Sequence, residues 1–366
     1  MRGITYSTSQ NWITNNNNIT QQHQSTKKAL NTNTNYLNTT KSSKTKQCPS
    51  FSIHSSKTLT PKTDNNQNPP LVVVGSANAD IYVEIDRLPK EGETISAKTG
   101  QTLAGGKGAN QAVCSGQVGE DAHGNLITNA LKECGVVIDH LNTVSSVPTG
   151  HAVVMLQADG QNSIIIVGGA NMSCWPNTLS DQDLDVIKKA GIVLLQREIP
   201  DSVNIQVAKA ARSAGVPVIL DTGGMEGPIP VELLTHVDIL SPNETELARL
   251  TGMPTESFEQ ISQAVAKCHE LGAKQVLVKL GTKGSALFVE GEEPIKQPMI
   301  SAEKVLDTTG AGDTFTAAFS VALVEGKSVR ECLRFAAAAA SLCVQVKGAI
   351  PSMPDREAVF SLLQSL

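Results

Sequence analysis

The stretch from Ile192 to Leu220, IVLLQREIPDSVNIQVAKAARSAGVPVIL, contains a strand–helix–strand unit. It begins with the apolar run Ile192–Leu195, has helical spacing of apolar residues from Asp201 to Ala214, and ends with the apolar run Val218–Leu220. Gly215 stands where a C-terminal helix cap is expected. Short apolar runs that alternate with amphipathic helices are typical of parallel sheets buried on both faces. This stretch therefore predicts an α/β fold.

The same alternation extends from Leu71 through most of the chain. The further predicted central strands are Leu71–Val74, Val237–Leu240 and Val276–Val278, and the further predicted helices are Asn243–Leu250 and Phe258–Leu271, the last followed by a cap at Gly272. We predict a doubly wound α/β domain over residues 70–366, with a mainly parallel central sheet flanked by helices.

Two regions, at about residues 80–100 and 149–168, show period-two alternation instead. The predicted strand pairs are Ile81–Ile85 with Thr94–Lys98 around Pro89, and His151–Gln157 with Ser163–Val167 around the hairpin signal Asp159-Gly160. We expect a small β-sheet that acts as a lid. In a kinase, a lid excludes the water that would otherwise accept the phosphoryl group.

Residues 1–69 differ sharply in composition from the rest of the chain. They are rich in Asn, Thr, Ser, Gln and Lys, and contain no acidic residue before Asp64. Such a segment buries too little apolar surface to fold, so we predict disorder. Basic, hydroxyl-rich composition is also typical of transit peptides. We expect import into a chloroplast or other plastid, with the mitochondrion or the cytosol as alternatives. A plain disordered tail and a low-complexity stretch in an uncertain gene model also remain open.

The net charge of −5 includes this basic segment, so the folded part is more acidic still. Binding to nucleic acid by electrostatics is therefore not expected. No run approaches the length of about 18 apolar residues that a membrane span needs. The seven cysteines show neither CxxC nor Cys/His ligand spacing, which argues against a disulfide framework or a zinc site.

Near the C-terminus, Asp307–Asp313 reads DTTGAGD and opens onto an apolar run. A turn of small residues before a helix leaves backbone N–H groups unpaired, which suits a phosphoryl group. Asp313 stands at its mouth, where a general base could act on a hydroxyl. By itself, the segment is equally well explained as a tight turn in which Asp313 caps the helix.

Asn78 and Asp80 follow the first predicted strand, at the edge where open α/β sheets bind ligands. An amide and a carboxylate two residues apart can project to one side and bind vicinal hydroxyls, although an Asx turn explains the pair as well. Gly105–Gln111 reads GGKGANQ, and its glycines permit close backbone approach. It lacks the spacing of a Walker A loop, and alone it would be a loop or a helix start.

The segments Val74–Asp80, Gly105–Gln111 and Asp307–Asp313 together closely resemble the ribokinase family of carbohydrate kinases, from about Leu71 to Pro354. Fructokinases and adenosine kinases share the Gly-Gly start and the late Gly-Ala-Gly-Asp, but not GGKGANQ. The resemblance implies ATP-dependent phosphorylation of D-ribose at its 5-hydroxyl, which supplies ribose 5-phosphate to the pentose phosphate pathway and nucleotide synthesis. It also implies a homodimer that associates through the lid.

The resemblance further implies which residues form the site. Asp313 is the implied catalytic base, and the implied sugar contacts are Asn78, Ala79, Asp80, Gly106, Lys107, Gly108, Ala109, Asn110, Glu198 and Asp313. The implied ATP contacts are Asn243, Gly281, Thr282, Lys283, Gly284, Ser285, Ala286, Gly312 and Asp313. Glu246 is implied to help hold Mg²⁺, mostly through water, and K⁺ is implied to be held by Asp307, Thr309, Cys343, Val346, Gly348 and Ser352.

Several of these segments have simpler explanations when taken alone. Asn243–Glu246 would cap a helix, Gly281–Ala286 would be a hairpin turn, Glu198 would be a solvated loop carboxylate, and Lys347–Ser352 would be a helix end with a glycine cap and a proline stop.

In one place the chain departs from the family pattern. After the predicted helix that begins near Lys107, another helix already starts at Ala122, and no strand is recognisable between them after Cys114. We expect that about ten residues are missing by comparison with the family, and an empty slot in a parallel sheet would leave buried backbone groups without partners. An exon-skipped transcript or a faulty gene model would explain the gap. The alternatives to a ribokinase are another sugar or nucleoside kinase, or an inactive, destabilised sugar-binding variant.

Overall fold

The computed structural model describes residues 69–112, 115–157 and 162–366. The predicted transit segment, apart from its last residue, lies outside the described residues, as do Cys114 and the Asp159-Gly160 turn. Within the described ranges, no helix combines the length and the apolar composition that crossing a membrane requires.

The described residues form thirteen strands, numbered in chain order. They are β1 Leu71–Val74, β2 Asn78–Ile85, β3 Thr99–Gly105, β4 Ser115–Gly119, β5 His140–Val144, β6 Gly150–Gln157, β7 Asn162–Val167, β8 Ile192–Arg197, β9 Val218–Gly224, β10 Ile239–Ser241, β11 Gln275–Lys279, β12 Ser285–Val289 and β13 Ile295–Gln297.

Eleven α-helices accompany these strands in the described part of the chain. They are α1 Lys107–Asn110, α2 Ala122–Glu133, α3 Ala170–Ser173, α4 Asp181–Lys188, α5 Asp201–Ser213, α6 Val231–Leu234, α7 Glu244–Thr251, α8 Phe258–Glu270, α9 Ala311–Val324, α10 Val329–Cys343 and α11 Arg356–Ser365. Gly215 and Gly272 follow α5 and α8 with φ of 75° and 106°, as expected of glycine caps.

The central sheet contains nine of the described strands, in the order β13-β12-β11-β10-β9-β8-β1-β4-β5. From β11 to β5 all neighbours are parallel, and β12 and β13 extend the sheet in antiparallel fashion. The predicted doubly wound α/β fold is therefore confirmed.

Helices cover both faces of this sheet, which explains why its strands are continuous apolar runs. Successive side chains of a strand point to opposite faces. In β8, Val193 and Leu195 pack into a core with α4 to α8, whereas Ile192 and Leu194 pack into a second core with α2, α9, α10 and α11. All four side chains are fully buried.

The small sheet has the strand order β3-β2-β6-β7. The predicted pairing of β6 with β7 is confirmed, with Met155 opposite Ser163. The partner predicted for Ile81–Ile85 is wrong, because β2 pairs with Thr99–Gly105 and not with Thr94–Lys98. Most of β3 is exposed and polar at the edge of the sheet, so it carries no alternating apolar pattern that could reveal it.

The expectation that a strand is missing after Cys114 is also wrong. Strand β4 pairs with β5 at five positions and with β1 at one, Val74 opposite Ser115, so the central sheet has no empty slot. Its sequence SGQVG has two glycines and no β-branched run, so the sequence pattern does not predict a strand there. Helix α1 has only four residues and is followed by Ala112 at a strained φ of 73°.

Candidate active site

A cavity of about 920 Å³ lies at the carboxyl ends of β8 to β11, and β6 and β7 of the small sheet contribute to its lining. It brings together segments that are far apart in sequence, such as those of Asn78 and Asp313, as expected at the strand ends of an open α/β sheet. The predicted site residues that line it are Asn78, Asp80, Gly106, Lys107, Asn110, Glu198, Asn243, Glu246, Gly281, Thr282, Gly284, Ser285, Thr309, Gly312 and Asp313.

Five of the residues predicted to contact the sugar or ATP do not line this cavity. Ala79, Ala109 and Ala286 are buried in the core, and Gly108 packs against the backbone of Ser76. The ammonium group of Lys283 is at the surface, where it pairs with Glu244 at 2.9 Å. At these positions the side chains therefore do not face the cavity.

One end of the cavity, which we call the sugar end, is built around Asn78, Asp80 and Glu198. Asn78 and Asp80 project from the same face of β2, so they are strand residues and not an Asx turn. Asn78 Nδ2 donates to Glu198 Oε2 at 3.3 Å, and Asn78 Oδ1 accepts from Asn171 Nδ2 at 2.8 Å. Gly105 lies opposite Asn78, and a methyl group there would approach Asp80 Oδ2 to 2.0 Å.

The carboxyl groups at this end are strongly perturbed. Burial, followed by the negative charges of Glu198, Asp313 and Asp307, raises the pKa of Asp80 to about 8. Burial also raises the pKa of Glu198, although Lys107 and the Ser76 hydroxyl oppose this shift. Glu198 Oε2 already accepts from Ser76 Oγ, Asn78 Nδ2 and Lys107 N, and the other carboxyl oxygens at this end can accept hydrogen bonds from the hydroxyls of a sugar.

Asp313 lies between the two ends of the cavity and is 5% exposed. Its Oδ2 accepts from Asn110 Nδ2 at 2.8 Å, and its Oδ1 accepts from Gln111 Nε2 at 3.2 Å. Gly310, with φ of 77°, is the N-cap of α9 and makes no side-chain cap bond. Asp313 therefore does not cap its own helix but faces α1, beside the amides of the first turn of α9.

Two charged residues that the sequence reading overlooked complete this region. Asp221 Oδ2 accepts from Lys279 Nζ at 2.6 Å, and its Oδ1 accepts from Lys107 Nζ at 3.3 Å. Lys107 Nζ also lies 3.5 Å from Asp313 Oδ1. Although burial opposes it, the two ammonium groups hold the pKa of Asp221 well below its usual range.

A signal for these two residues does exist in the sequence. Asp221 directly follows the predicted strand Val218–Leu220, and Lys279 directly follows Val276–Val278. Like Asn78, Asp221 and Lys279 therefore stand at the edge where open α/β sheets bind ligands.

The other end, which we call the nucleotide end, is formed by Asn243–Glu246, Gly281–Ser285 and the start of α9. Asn243 and Glu246 form a capping box, with Glu246 N donating to Asn243 Oδ1 at 2.7 Å and Asn243 N donating to Glu246 Oε2 at 2.9 Å. They cap α7 and line the cavity at once. Gly284 has φ of 93°, and a methyl group there would meet Gln297 O at 2.1 Å.

The residues proposed for K⁺ also come together, next to this cavity. Asp307 is 0% exposed and accepts from Thr309 N and Gly348 N, both at 2.9 Å. Cys343 Sγ lies 3.1 Å from Ser352 Oγ. Among the described residues, no lysine or arginine pairs with Asp307, so its buried charge lacks a cation from the protein.

The turn after α10 is not the glycine-capped helix end that the sequence also allowed. Helix α10 ends at Cys343, five residues before Gly348, and Gly348 donates to Asp307 instead. The side chain of Val346 faces solvent, so this residue could offer a cation only its carbonyl oxygen.

Comparison with known proteins agrees with this geometry. The model of the pfkB family carbohydrate kinases matches residues 68–356. The chain is 75% identical over 308 residues to ribokinase of Arabidopsis thaliana, with 81% of each chain covered. It is 39% identical over 303 residues to ribokinase of Bacillus subtilis, with 80% of this chain and 99% of that protein covered.

Solved structures give the same result. The structure of Arabidopsis thaliana ribokinase complexed with ribose and ATP is 74% identical, with a TM-score of 0.77, and covers 81% of this chain and 99% of its own. A ribokinase structure from Thermotoga maritima is 36% identical, with a TM-score of 0.71 and coverage of 81% and 99%. This chain therefore belongs to the pfkB family of carbohydrate kinases.

Proposed function

We propose that this chain transfers the γ-phosphoryl group of ATP to the 5-hydroxyl of D-ribose. The observation that carries this proposal is a single cavity with Asn78, Asp80 and Glu198 at one end, a helix N-terminus at the other, and Asp313 between them. The relative with 75% identity is a ribokinase, and the solved structure with 74% identity is a complex with ribose and ATP, which supports the choice of substrates.

In the proposed reaction, the sugar hydroxyl oxygen attacks the γ-phosphorus while its proton passes to Asp313. The bond from the γ-phosphorus to the bridging oxygen breaks, and ADP leaves with the electron pair. Asn110 and Gln111 orient the Asp313 carboxylate toward the hydroxyl. Backbone amides at the start of α9 receive the charge on the phosphoryl oxygens, so positioning and electrostatics provide most of the catalysis.

Both cations fit residues of this chain. Glu246 faces the cavity beside Asn243, and one carboxylate is adequate for Mg²⁺ because this ion keeps most of its water ligands. Bound Mg²⁺ would neutralise phosphate charge. The buried Asp307 carboxylate, with the hydroxyl and carbonyl oxygens around it, suits K⁺. Equal activity in K⁺ and Na⁺ buffers would contradict the K⁺ site.

The small sheet supports a role as lid and as dimer contact. Ile164 and Ile166 of β7 line the cavity, Ile165 and Val167 alternate with them, and all four side chains are between 44% and 57% exposed. An apolar strand at the edge of a sheet is a surface that a second copy of the chain can cover. Sedimentation of wild type and of Ile165→Lys tests this dimer, which the substitution should dissociate.

Residues 1–69 are proposed to direct the chain to a plastid. The proposal is supported by their basic, hydroxyl-rich composition alone. Fusion of residues 1–69 to a fluorescent reporter tests it, and a reporter that remains in the cytosol would refute it.

A coupled assay of ADP release with D-ribose, 2-deoxy-D-ribose, D-fructose and adenosine tests the reaction. We expect D-ribose to give the highest kcat/KM, with mass spectrometry and NMR locating the phosphate on O5. Deoxyribose is included because a deoxyribokinase of Salmonella typhi is 29% identical to this chain over 297 residues. If another sugar were phosphorylated in preference to ribose, the proposed substrate would be wrong, and the family assignment would be unaffected.

A further inference from the structure

The side chain of Asn171 lies behind the sugar end of the cavity. Asn171 belongs to α3, which follows strand β7 of the small sheet, and it is 1% exposed. It does not line the cavity. Buried amides in native proteins are hydrogen-bonded, so Asn171 can affect the sugar end only through the residues that it contacts.

The backbone of Ala77 holds the Asn171 amide in one orientation. Asn171 Oδ1 accepts from Ala77 N at 2.9 Å, and Asn171 Nδ2 donates to Ala77 O at 3.1 Å. A backbone N–H only donates and a backbone carbonyl only accepts, so exchange of the amide oxygen and nitrogen of Asn171 would break both bonds. Asn171 therefore presents its remaining N–H, and not its oxygen, to β2.

This N–H sets the orientation of a second amide, that of Asn78. Asn171 Nδ2 donates to Asn78 Oδ1 at 2.8 Å, which leaves Asn78 Nδ2 to donate to Glu198 Oε2 at 3.3 Å. If the Asn78 amide were turned over, its nitrogen would face another donor and its oxygen would face a carboxylate. Both contacts are unfavourable. A chain of hydrogen bonds therefore runs from the backbone of Ala77 through two amides to Glu198.

Two glycines give this chain of hydrogen bonds its room. Gly150 of β6 lies opposite Asn78 of β2, and a methyl group on Gly150 would collide with Asn171 Nδ2 and with Asn78 Oδ1. Gly169, directly before α3, has φ of 50°, a conformation that glycine adopts most readily. The fold thus brings the two amides together where no further side chain fits.

We propose that Asn171 is a positioning residue for the sugar, which acts through Asn78 and does not touch the ligand. This rests on the proposed function. Asn171 fixes the Asn78 amide with its Nδ2 toward Glu198, so neither side chain has to reorient when ribose binds. Polar groups that are in place before the ligand arrives lower the free-energy cost of binding.

Calorimetry with D-ribose and the coupled assay test the proposal in Asn171→Ala. We expect the Kd and the KM for ribose to rise by about tenfold or more, as for loss of an oriented hydrogen bond to a charged group. At saturating ribose, kcat and the KM for ATP should change by less than about threefold. If the KM for ATP rose as much as the KM for ribose, the role of Asn171 would be generally structural and the proposal would be overturned.

Asn204→Ala is the matched control. Asn204 is another fully buried asparagine, its Nδ2 donates to the backbone carbonyl of Gln196 at 2.9 Å, and it does not line the cavity. This variant should lose stability in urea denaturation and keep the ribose affinity of wild type. If Asn204→Ala weakened ribose binding as much as Asn171→Ala, loss of any buried asparagine would have the same effect, and the proposal would be overturned.

A double-mutant cycle shows whether Asn171 acts through Asn78. The side chain of the Asn78→Ala variant has no amide to orient, so Asn171→Ala should change the Kd for ribose by less than about twofold in that background. The same tenfold effect of Asn171→Ala in both backgrounds would contradict the proposed route through Asn78.

Asn171→Asp provides a second variant should Asn171→Ala not fold, because it keeps the size of the side chain and the acceptor for Ala77 N. Its second oxygen replaces the donor to Asn78, so we expect Asn78 to turn its Nδ2 away from Glu198 and ribose to bind about tenfold or more weakly.

A crystal structure of either variant without sugar shows the orientation of Asn78 directly. We expect the contact between Asn78 Nδ2 and Glu198 Oε2 to be lost. If wild type did not phosphorylate ribose, the proposed function would fail, and this structure would still test Asn171. An Asn78 amide that kept its contact with Glu198 would overturn the proposal.

Discussion

At the sugar end of the cavity the atoms that face the ligand belong to side chains, whereas at the nucleotide end many belong to the backbone. Asn78 of β2 donates to Glu198, which follows β8, and the carboxyl groups of Asp80 and Glu198 have raised pKa values. The nucleotide end instead depends on Gly284 and Gly310, whose positive φ lets the chain turn beside the ligand.

Because of this difference, substitutions at the two ends should act through different physical effects. At the sugar end a substitution removes or adds charge in a buried setting, so its effect depends on pH and on the ligand. At the nucleotide end a substitution adds a Cβ where the backbone has no room, so its effect is steric and independent of pH. Substitutions at either end, at Asp313 between them and at the nearby connection from α1 to β4 distinguish these effects.

The largest effect is expected at Asp313, where the two ends meet. Asp313→Asn should lower kcat by about 10² to 10⁴, because the amide cannot accept the hydroxyl proton. Steady-state ADP release measures the change, and calorimetry should show that ribose still binds. Asp185→Asn, on the surface of α4 and paired with Lys188, is the control. Near-normal turnover in Asp313→Asn would remove Asp313 from the role of base.

At the nucleotide end, Gly284→Ala should lower the free energy of unfolding by about 3 kcal/mol, because it combines backbone strain with a clash against Gln297 O. The KM for ATP should rise more than the KM for ribose. Gly291→Ala provides the matched control, since Gly291 has φ of 79° with no atom within 4 Å of the added methyl group. Urea denaturation measures the stability of both variants. If they lost equal stability, the clash of the added methyl group with Gln297 O would contribute nothing.

At the sugar end, Asp80 predicts a dependence of stability on pH. Its pKa of about 8 in the folded state exceeds its ordinary value of 3.8, so folding favours the protonated form. The free energy of unfolding should therefore fall as pH rises from about 4 to about 8 and then level off. Relative to wild type, Asp80→Asn, which mimics the neutral form, should gain about 2 to 3 kcal/mol of stability between pH 6 and pH 9 while losing ribose affinity.

Urea denaturation at pH 6 and pH 9 measures this difference. Asp86→Asn, which replaces an exposed carboxylate paired with Lys98, should show no gain at either pH. If Asp80→Asn differed from wild type by the same amount at pH 6 and at pH 9, the raised pKa of Asp80 would be contradicted.

The smallest effect is expected where α1, which carries Lys107 and Asn110, connects to β4. Ala112→Gly should raise the free energy of unfolding by about 0.5 kcal/mol, because relief of the left-handed φ outweighs the added freedom of the unfolded chain. Ala214→Gly, at the end of α5 with φ of −95°, should have the opposite sign. A loss of stability in Ala112→Gly would show that the left-handed φ of Ala112 is not strained.

The strand–helix–strand unit that begins at Ile192 was predictable, although β8 and β9 extend two and four residues beyond their predicted ends, whereas β4 was not. The apolar side chains of β8 and β9 are buried on both faces, so their composition reveals them. Strand β4 is held mainly by backbone pairing with β5, which depends on no apolar run. Likewise, Asp221 and Lys279 are 58 residues apart in sequence, and only their meeting at one edge of the sheet reveals the ion pair.

By itself, the sequence determined the α/β class, the family motifs and the presence of a carboxylate beside a glycine-rich turn, because periodicity and motif spacing are local properties of the chain. The tertiary structure alone decided that Asp313 faces Asn110 and Gln111 instead of capping its helix, that β4 closes the sheet, and that Asn171 contacts Asn78. Those outcomes depend on contacts between distant segments, whose burial and electrostatics arise only when the strands come together.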